Sequence, residues 1–367
     1  MQALRLSRNA LLSIAIPIVA VMASFLIGGV LILLVGVNPV DAYSAFLYGA
    51  FGNRVNLGNT LSVATPLILC GLGIAFAARG SAFNIGAEGQ LYIGAIFATW
   101  VGLRFAGLPG YLLIPLILAG GFVGGGLWGF IPGILKARFG INEVVLTVML
   151  SEIAVQLVSW VVRGPMLDPN SYGLPQTAAL SDAGKLPLLL KGTRLHLGLL
   201  VALLAAVIVY LLLFKTAFGF RVRAVGFNAR AARYAGMAVT ATSSLAMTIS
   251  GGLAGIAGAI EVSGVHYRLL DGISPGYGFT AIVVSLLGKR HPLGVVIAAI
   301  LFAALQGGAD AMQRKVAVPV HLAQIIQALT ILLAIVGEYL GSHGFSQFRA
   351  LLPAGLGAAA PAVAAEE

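Results

Sequence analysis

The sequence predicts an all-α, polytopic membrane protein with about ten transmembrane helices, and three observations support this prediction. Apolar residues make up 59% of the chain and charged residues only 9%, whereas a soluble domain carries about 25% charged residues. Long uncharged runs recur, as in 11–37 and 105–135. A helix that crosses a bilayer needs about 20 mostly apolar residues, so each long run is a candidate span.

The predicted spans follow the uncharged runs in chain order. The first run comes after two arginines, as in a signal peptide, but it is too long for a cleaved apolar region, which favours a retained span. The eighth is short and rich in glycine. The ten spans are 11–36, 59–78, 86–104, 110–136, 142–163, 197–214, 241–262, 277–290, 293–311 and 320–340.

Loop charges predict the orientation of these spans. Five of the basic residues lie within the loop 215–240, and Lys and Arg concentrate in cytoplasmic loops. We therefore expect both termini inside, the loop 164–196 outside, residues 1–340 as a single transmembrane domain, and 341–367 as a cytoplasmic tail. The net charge of +10 is explained by this topology signal better than by binding of nucleic acid.

Several kinds of chemistry find no support in the sequence. Cys70 is the single cysteine, which rules out an intrachain disulfide and a cysteine metal site. The histidines fall at span edges or in the tail, and none has metal-ligand spacing beside carboxylates. No motif of a serine hydrolase or membrane protease is present. We predict no catalytic residue, no metal and no cofactor.

Residues 79–90 form the most informative stretch, because they place polar groups between two apolar segments. Phe83, Asn84, Glu88 and Gln90 are its candidate functional residues. Amides and carboxylates at this depth are costly in hydrocarbon unless they line a cavity, pack against protein or bend a helix. Contact of Glu88 with substrate is one possibility, but capping of a broken helix or bonding to backbone is favoured.

Other acidic residues lie within or near the spans. Glu152 and Gln156 share one helix face with Ser159 and Arg163, because their spacing is four, three and four residues. This face either lines a pathway or holds helices together by polar contacts. We expect Glu261, nearer a span end, to meet headgroups, water or a partner subunit.

The basic loop 215–240 predicts a short helix between two caps. Asn228 is a suitable N-cap and Gly236 a suitable C-cap, and the alanines between them give the helix a slim body. Such a helix is shaped to dock into a cleft on a partner, although a loop that only sets orientation is an equal alternative. The candidate residues are Arg223, Gly226, Asn228, Arg230, Ala231, Ala232, Arg233 and Gly236.

Taken together, the runs at 83–90 and 223–236 resemble permeases of ATP-binding-cassette (ABC) importers for nucleosides and simple sugars, within the branched-chain amino acid and ribose type of permease. The resemblance covers roughly residues 15–340. In that family the segment matching 223–236 is the coupling helix, which contacts the ATPase subunit. The family usually has proline after the asparagine, and here the residue is Ala229.

The resemblance implies an assembly in the bacterial cytoplasmic (inner) membrane. It contains a second permease subunit, often as a heterodimer, an ABC ATPase, and a substrate-binding protein at the outer face, with lipid around the spans. The run Gly288-Lys289-Arg290 does not fit a phosphate-binding loop, so ATP hydrolysis is expected on another chain.

Three alternatives remain at the level of sequence. A simple sugar is the nearest alternative substrate to a nucleoside. A secondary transporter driven by an ion gradient would use carboxylates such as Glu88 or Glu152 as proton or sodium sites. A membrane-integral enzyme or assembly factor is the third.

Overall fold

A computed structural model describes residues 22–319 and residue 19, with scattered positions between 322 and 336. Within 22–319 the regular structure is helical, apart from two isolated β-bridges. The helices are α1 Met22–Leu34, α2 Pro39–Phe51, α3 Arg54–Arg79, α4 Ala87–Arg104, α5 Gly110–Phe139, α6 Glu143–Arg163, α7 Gly198–Lys215, α8 Ala217–Phe227, α9 Ala229–Tyr234, α10 Val239–Ile260, α11 Tyr277–Leu287 and α12 Pro292–Val316.

Six of the described helices are long and apolar enough to cross a membrane. They are α3, α5, α6, α7, α12, and α10 together with the π-helical turn Glu261–His266 that continues it. This confirms the prediction of an all-α polytopic membrane protein. The number of ten spans stays a prediction, because the tenth span and the start of the first fall mostly outside the described residues.

The eighth predicted span differs from the expectation. Helix α11 has 11 residues, which at about 1.5 Å per residue is roughly half of the ~30 Å hydrocarbon thickness. Its last turn lies level with the end of α3, since Arg79 donates to the carbonyls of Lys289 and Arg290 at 3.5 and 3.1 Å. Helix α11 therefore begins about halfway along the length of α3.

Tight glycine packing joins α4, α5 and α10 in the unit formed by residues 45–311. The glycines at 121, 125 and 129 of α5 face the backbone of α10, where a Cβ on Gly121 would lie 2.6 Å from the carbonyl oxygen of Gly255. Small residues at four-residue spacing permit such backbone approach in membranes. These glycines therefore let the backbones of α5 and α10 come into direct contact.

The loop 164–196 is held against the far end of α10. The backbone of Thr177 donates to the carbonyl of Leu269 at 3.0 Å, and that of Leu180 donates to Tyr267 at 2.8 Å. Arg163 pairs with Asp271 at 2.6 Å. His196 is buried at the end of this loop and accepts from the backbone of Gly198. Burial lowers the pKa of His196 to about 4, so its ring is neutral.

The second unit comprises residues 1–44 together with 312–367. In its described part, the hydroxyl of Tyr43 donates to the carbonyl of Phe25 in α1. The two rings lie 5.3 Å apart. This contact ties α1 to the start of α2.

We expect Gly255→Ala to lower stability, because the new methyl group would meet the carbonyl of Gly121. Overpacking of this kind costs about 1–3 kcal/mol. The measurement is the apparent melting temperature of the purified protein in detergent. Gly107→Ala is the control, since no atom lies within 4 Å of a Cβ there. Equal melting of the two variants would contradict the packing role.

Candidate functional site

The 83–90 motif lies in a break between two helices. Helix α3 ends at Arg79 and α4 begins at Ala87. Asn84, Glu88 and Gln90 are almost completely buried. Buried polar groups are costly unless they are hydrogen-bonded, so the partners of these three side chains decide what the motif does.

Asn84 and Gln90 form a closed amide pair. The side-chain amide of Asn84 donates to the oxygen of Gln90 at 2.7 Å, and that of Gln90 donates back at 3.1 Å. The amide of Asn84 also donates to the hydroxyl of Ser250 in α10 at 2.7 Å, and its oxygen accepts from the backbone of Gly86 at 3.0 Å. These bonds fix the entry of α4 against the middle of α10.

Glu88 holds the start of the half-length helix α11. Its carboxylate accepts from the backbone N–H of Gly278 at 2.6 Å. The hydroxyl of Ser274 accepts from the backbone of Gly276 and Tyr277 at 3.2 and 3.1 Å. A helix start leaves N–H groups without intrahelical partners and carries a partial positive charge. Glu88 therefore bonds to backbone and caps a broken helix from a neighbouring one.

Phe83 belongs to a different environment from the buried part of the motif. Its side chain is half exposed, and the guanidinium of Arg290 lies 5.5 Å from its ring centre. Its backbone N–H donates to Glu143, which pairs with Lys136 at 2.5 Å. The first residue of the motif thus lies at the basic end of the helices, while Asn84, Glu88 and Gln90 lie deeper.

Glu152 and Gln156 are not brought to this cluster. Both side chains are exposed on α6, on a helix that has most of its surface uncovered in the single chain. Exposed polar groups on a transmembrane helix favour contact with another polypeptide or with water over contact with lipid. None of the residues that the structure describes covers these two side chains.

Glu261 corrects a sequence expectation. We expected it to meet headgroups, water or a partner, but it is buried in the π-helical turn that continues α10. Its Oε2 lies 3.6 Å from Nε2 of His266. A position near the end of a span does not by itself give exposure, because a loop can cover the end of the helix. Residues 175–180 of the loop 164–196 cover this end of the helix through their bonds to 267–271.

The capped helix predicted in the basic loop is present as α9. The side chain of Asn228 accepts from the backbone of Arg230 and Ala231, both at 3.0 Å. Gly236 has φ +79°, a left-handed conformation that suits glycine after a helix end. Met237 donates to the carbonyl of Ala232 at 3.0 Å. The hydrogen bonds at its two ends stabilise α9 although it has only six residues.

The eight residues predicted for coupling divide into two groups. Asn228, Arg230, Ala231, Arg233 and Gly236 are exposed. The other three face their own chain. Ala232 is buried, a Cβ at Gly226 would clash with the carbonyl of Arg79, and the guanidinium of Arg223 lies over the ring of Phe214. Ala232 is therefore not part of the exposed surface of α9.

Sequence reasoning missed the partners that complete the buried cluster. Ser250 lies 166 residues from Asn84, and Gly278 lies 190 residues from Glu88, so no local spacing connects them. A weak signal existed for Ser274, because serine followed by proline and glycine before an apolar run is typical of a helix start. Among the residues that the structure describes, no group of acidic, histidine or cysteine side chains is placed to hold a metal.

Most of the chain is similar in sequence to known ABC transporter permeases. The guanosine ABC transporter permease protein NupP of Bacillus subtilis is 42% identical, covering 86% of this chain and 91% of the relative. The glucose ABC transporter permease protein TsgB13 of Haloferax volcanii is 38% identical, over 88% and 87%. The nucleoside ABC transporter permease protein NupB of Lactococcus lactis is 34% identical, over 87% and 89%.

The family model "Branched-chain amino acid transport system / permease component" matches residues 56–335. This range runs from α3 past the end of α12 and includes the buried motif and the capped helix α9. The chain therefore belongs to this permease family.

Proposed function

We propose that this chain is the permease subunit of an ABC importer that forms the membrane pathway for nucleosides or related purine-type compounds. The observation that carries the proposal is its similarity to guanosine and nucleoside permeases over most of its length. A simple sugar is the second candidate, because a glucose permease is similar to a comparable degree.

The proposed assembly supplies what this chain lacks. A separate ABC ATPase hydrolyses ATP, a second permease subunit completes the pathway, in a heterodimer, and a substrate-binding protein delivers the substrate at the outer face. The exposed Glu152 and Gln156 of α6 support a pathway or subunit interface on that helix. We place the complex in the bacterial inner membrane as a multi-pass protein surrounded by lipid.

We propose an orientation with both termini inside, ten spans within a single domain 1–340, and a cytoplasmic tail 341–367. Basic side chains support it, since Arg79, Lys136, Arg223 and Arg290 share one end of the helices. The positive end of a membrane protein faces the cytoplasm. The loop 164–196 then faces outward.

We further propose how movement of the ATPase reaches the pathway. Helix α9 directly follows α8, whose Gly226 packs on the carbonyl of Arg79 at the end of α3. The loop 80–86 connects Arg79 to α4, and Glu88 of α4 holds the start of α11. Closure of the ATPase dimer would shift α9 and α8, and this series of contacts would carry the shift to the half-length helix.

The orientation is tested by cysteine labelling in a Cys70→Ala background. Tyr172 is fully exposed in the outer loop and Ala229 is exposed at the start of α9. We expect a membrane-impermeant maleimide to label Tyr172→Cys in intact cells and Ala229→Cys only after permeabilisation. Labelling of Ala229→Cys in intact cells would refute the orientation.

Glu88→Ala should abolish uptake while the complex with the ATPase still assembles. The change leaves the N–H of Gly278 unsatisfied, at a cost of about 1–3 kcal/mol, and frees the start of α11. Glu88→Gln keeps an acceptor and should retain part of the uptake. Uptake in reconstituted vesicles is the measurement.

Three results would argue against this role of Glu88. Normal uptake by Glu88→Ala would make the motif dispensable. Loss of the assembled complex would assign Glu88 a purely structural role. Uptake by the parent protein that depends on an ion gradient and does not depend on ATP would favour the secondary transporter.

Charge reversal on α9 should uncouple the importer. We expect Arg230→Glu with Arg233→Glu to reduce stimulation of the ATPase by loaded binding protein about tenfold or more, because like charges at an interface cost several kcal/mol. Ala231→Trp should act similarly by preventing close approach. The buried Ala232 is unsuitable, since a bulky residue there would disturb α9 itself.

The matched control reverses two exposed charges of the same loop outside α9, Lys215→Glu with Arg221→Glu. We expect it to retain stimulation and uptake. Binding of substrate to the separate binding protein should be unchanged in all variants. If the α9 double variant keeps both stimulation and uptake, the basic loop only sets the orientation of the chain.

A further inference from the structure

Three arginines meet at the point where apolar helices end. Arg79 is the last residue of α3, Arg223 lies in α8, and Arg290 lies in the turn before α12. The guanidinium groups of Arg79 and Arg223 lie 5.8 and 5.3 Å from the ring centre of Phe214. Arg290 lies over Phe83. These three residues are called the arginine cluster.

The positive charge of the arginine cluster has no counter-ion among the residues that the structure describes. Arg79 donates to two neutral carbonyls of the turn 289–290 and is repelled by the charges of Arg290 and Arg223. The Nε of Arg223 is buried with no hydrogen-bond partner. The ion pairs Lys136–Glu143, Arg163–Asp271 and Lys185–Asp182 lie elsewhere in the described residues.

An apolar surface adjoins this cluster. Phe214, which lies under two of the arginines, is in the last turn of α7. Exposed leucine and isoleucine side chains follow one face of α7 at spacings of four, four and three residues, and they are Leu200, Leu204, Ile208 and Leu211. An apolar helix face beside an uncompensated cluster of cations has the two properties of a phospholipid site, one for the acyl chains and one for the headgroup.

We propose that the arginine cluster binds the phosphate of an anionic phospholipid whose acyl chains lie along the exposed face of α7. Guanidinium groups bind phosphate oxygens through charge-assisted, often bidentate, hydrogen bonds. Basic groups at a cytoplasmic membrane surface attract anionic lipids, and the assignment to the inner leaflet rests on the orientation proposed above. An acidic protein segment would match the charges but not the apolar face.

The site has a consequence for α8. Arg223 reaches the cluster from α8, which leads into α9, and Arg79 reaches it from the end of α3. A phosphate that contacts both arginines would hold α8 against α3. The bound lipid would thus stabilise the contact through which we propose that α9 acts on the pathway.

Native mass spectrometry of the purified chain tests the proposal. The probes are phosphatidylglycerol and phosphatidylcholine with the same acyl chains, and inorganic phosphate as a soluble anion. We expect saturable binding of phosphatidylglycerol in preference to phosphatidylcholine. Arg290→Gln should weaken it roughly fivefold and Arg79→Gln with Arg290→Gln further, as expected for loss of one or two basic contacts near a membrane surface.

Matched controls separate this site from general surface charge. Arg138→Gln with Arg221→Gln removes two exposed charges outside the cluster and should leave the affinity unchanged. Arg290→Gln is the variant least expected to affect folding, because its backbone carbonyl, not its side chain, accepts from Arg79. Thermal melting of each variant checks that it is folded.

Three results would overturn the proposal. The cluster variants could bind phosphatidylglycerol as tightly as the parent. Inorganic phosphate could stabilise the parent as well as the lipid does, which would assign a free anion. When purified together with the ATPase subunit, the variants could keep the lipid but lose that subunit, which would assign a protein contact. The measurement needs neither ATP nor substrate. Lipid binding can therefore be interpreted even if the proposed transport function is wrong.

Discussion

A helix that begins inside a bilayer leaves its first backbone N–H groups where water cannot reach them, and the arrangement around α11 depends on this constraint. Each such group costs several kcal/mol if it stays unsatisfied in hydrocarbon. Glu88 and Ser274 supply the acceptors. Because Glu88 comes from α4, the start of α11 is fixed to a different helix and not to its own loop.

The need to position Glu88 explains why Asn84 and Gln90 are buried and hydrogen-bonded to each other. Glu88 can reach Gly278 only if the first turn of α4 is held in place, and the Asn84–Gln90 pair with Ser250 holds it against α10. The glycines of α4, α5 and α10 then allow these backbones to approach closely. Lipid offers no hydrophobic drive for helix association, so close packing and polar bonds must supply it.

The two ends of the 83–90 motif contact different parts of the protein. Phe83 lies at the basic end, under Arg290 of the arginine cluster and near α8, whereas Glu88 lies at the start of α11. A displacement of α8 would therefore act on a loop whose other end holds a half-length helix. Non-helical backbone at the start of such a helix is tolerated in a membrane only where it is buried in protein or lines a cavity. This arrangement is the basis of the proposed transmission of movement from α9 to α11.

Much of the architecture followed from the sequence alone. Long uncharged runs gave the class of protein, because only helices can satisfy their backbone locally in a membrane, and the ends of α3 to α7 and of α12 lie near the predicted ones. The caps of α9 were also predictable, since Asn228 and Gly236 act on neighbouring residues. The tertiary structure alone decided three matters. It showed that α11 has only 11 residues, about half the length needed to cross a bilayer, that Glu261 is buried, and that Ala232 faces inward. Each depends on partners from distant parts of the chain, and burial by such partners leaves no trace in local spacing.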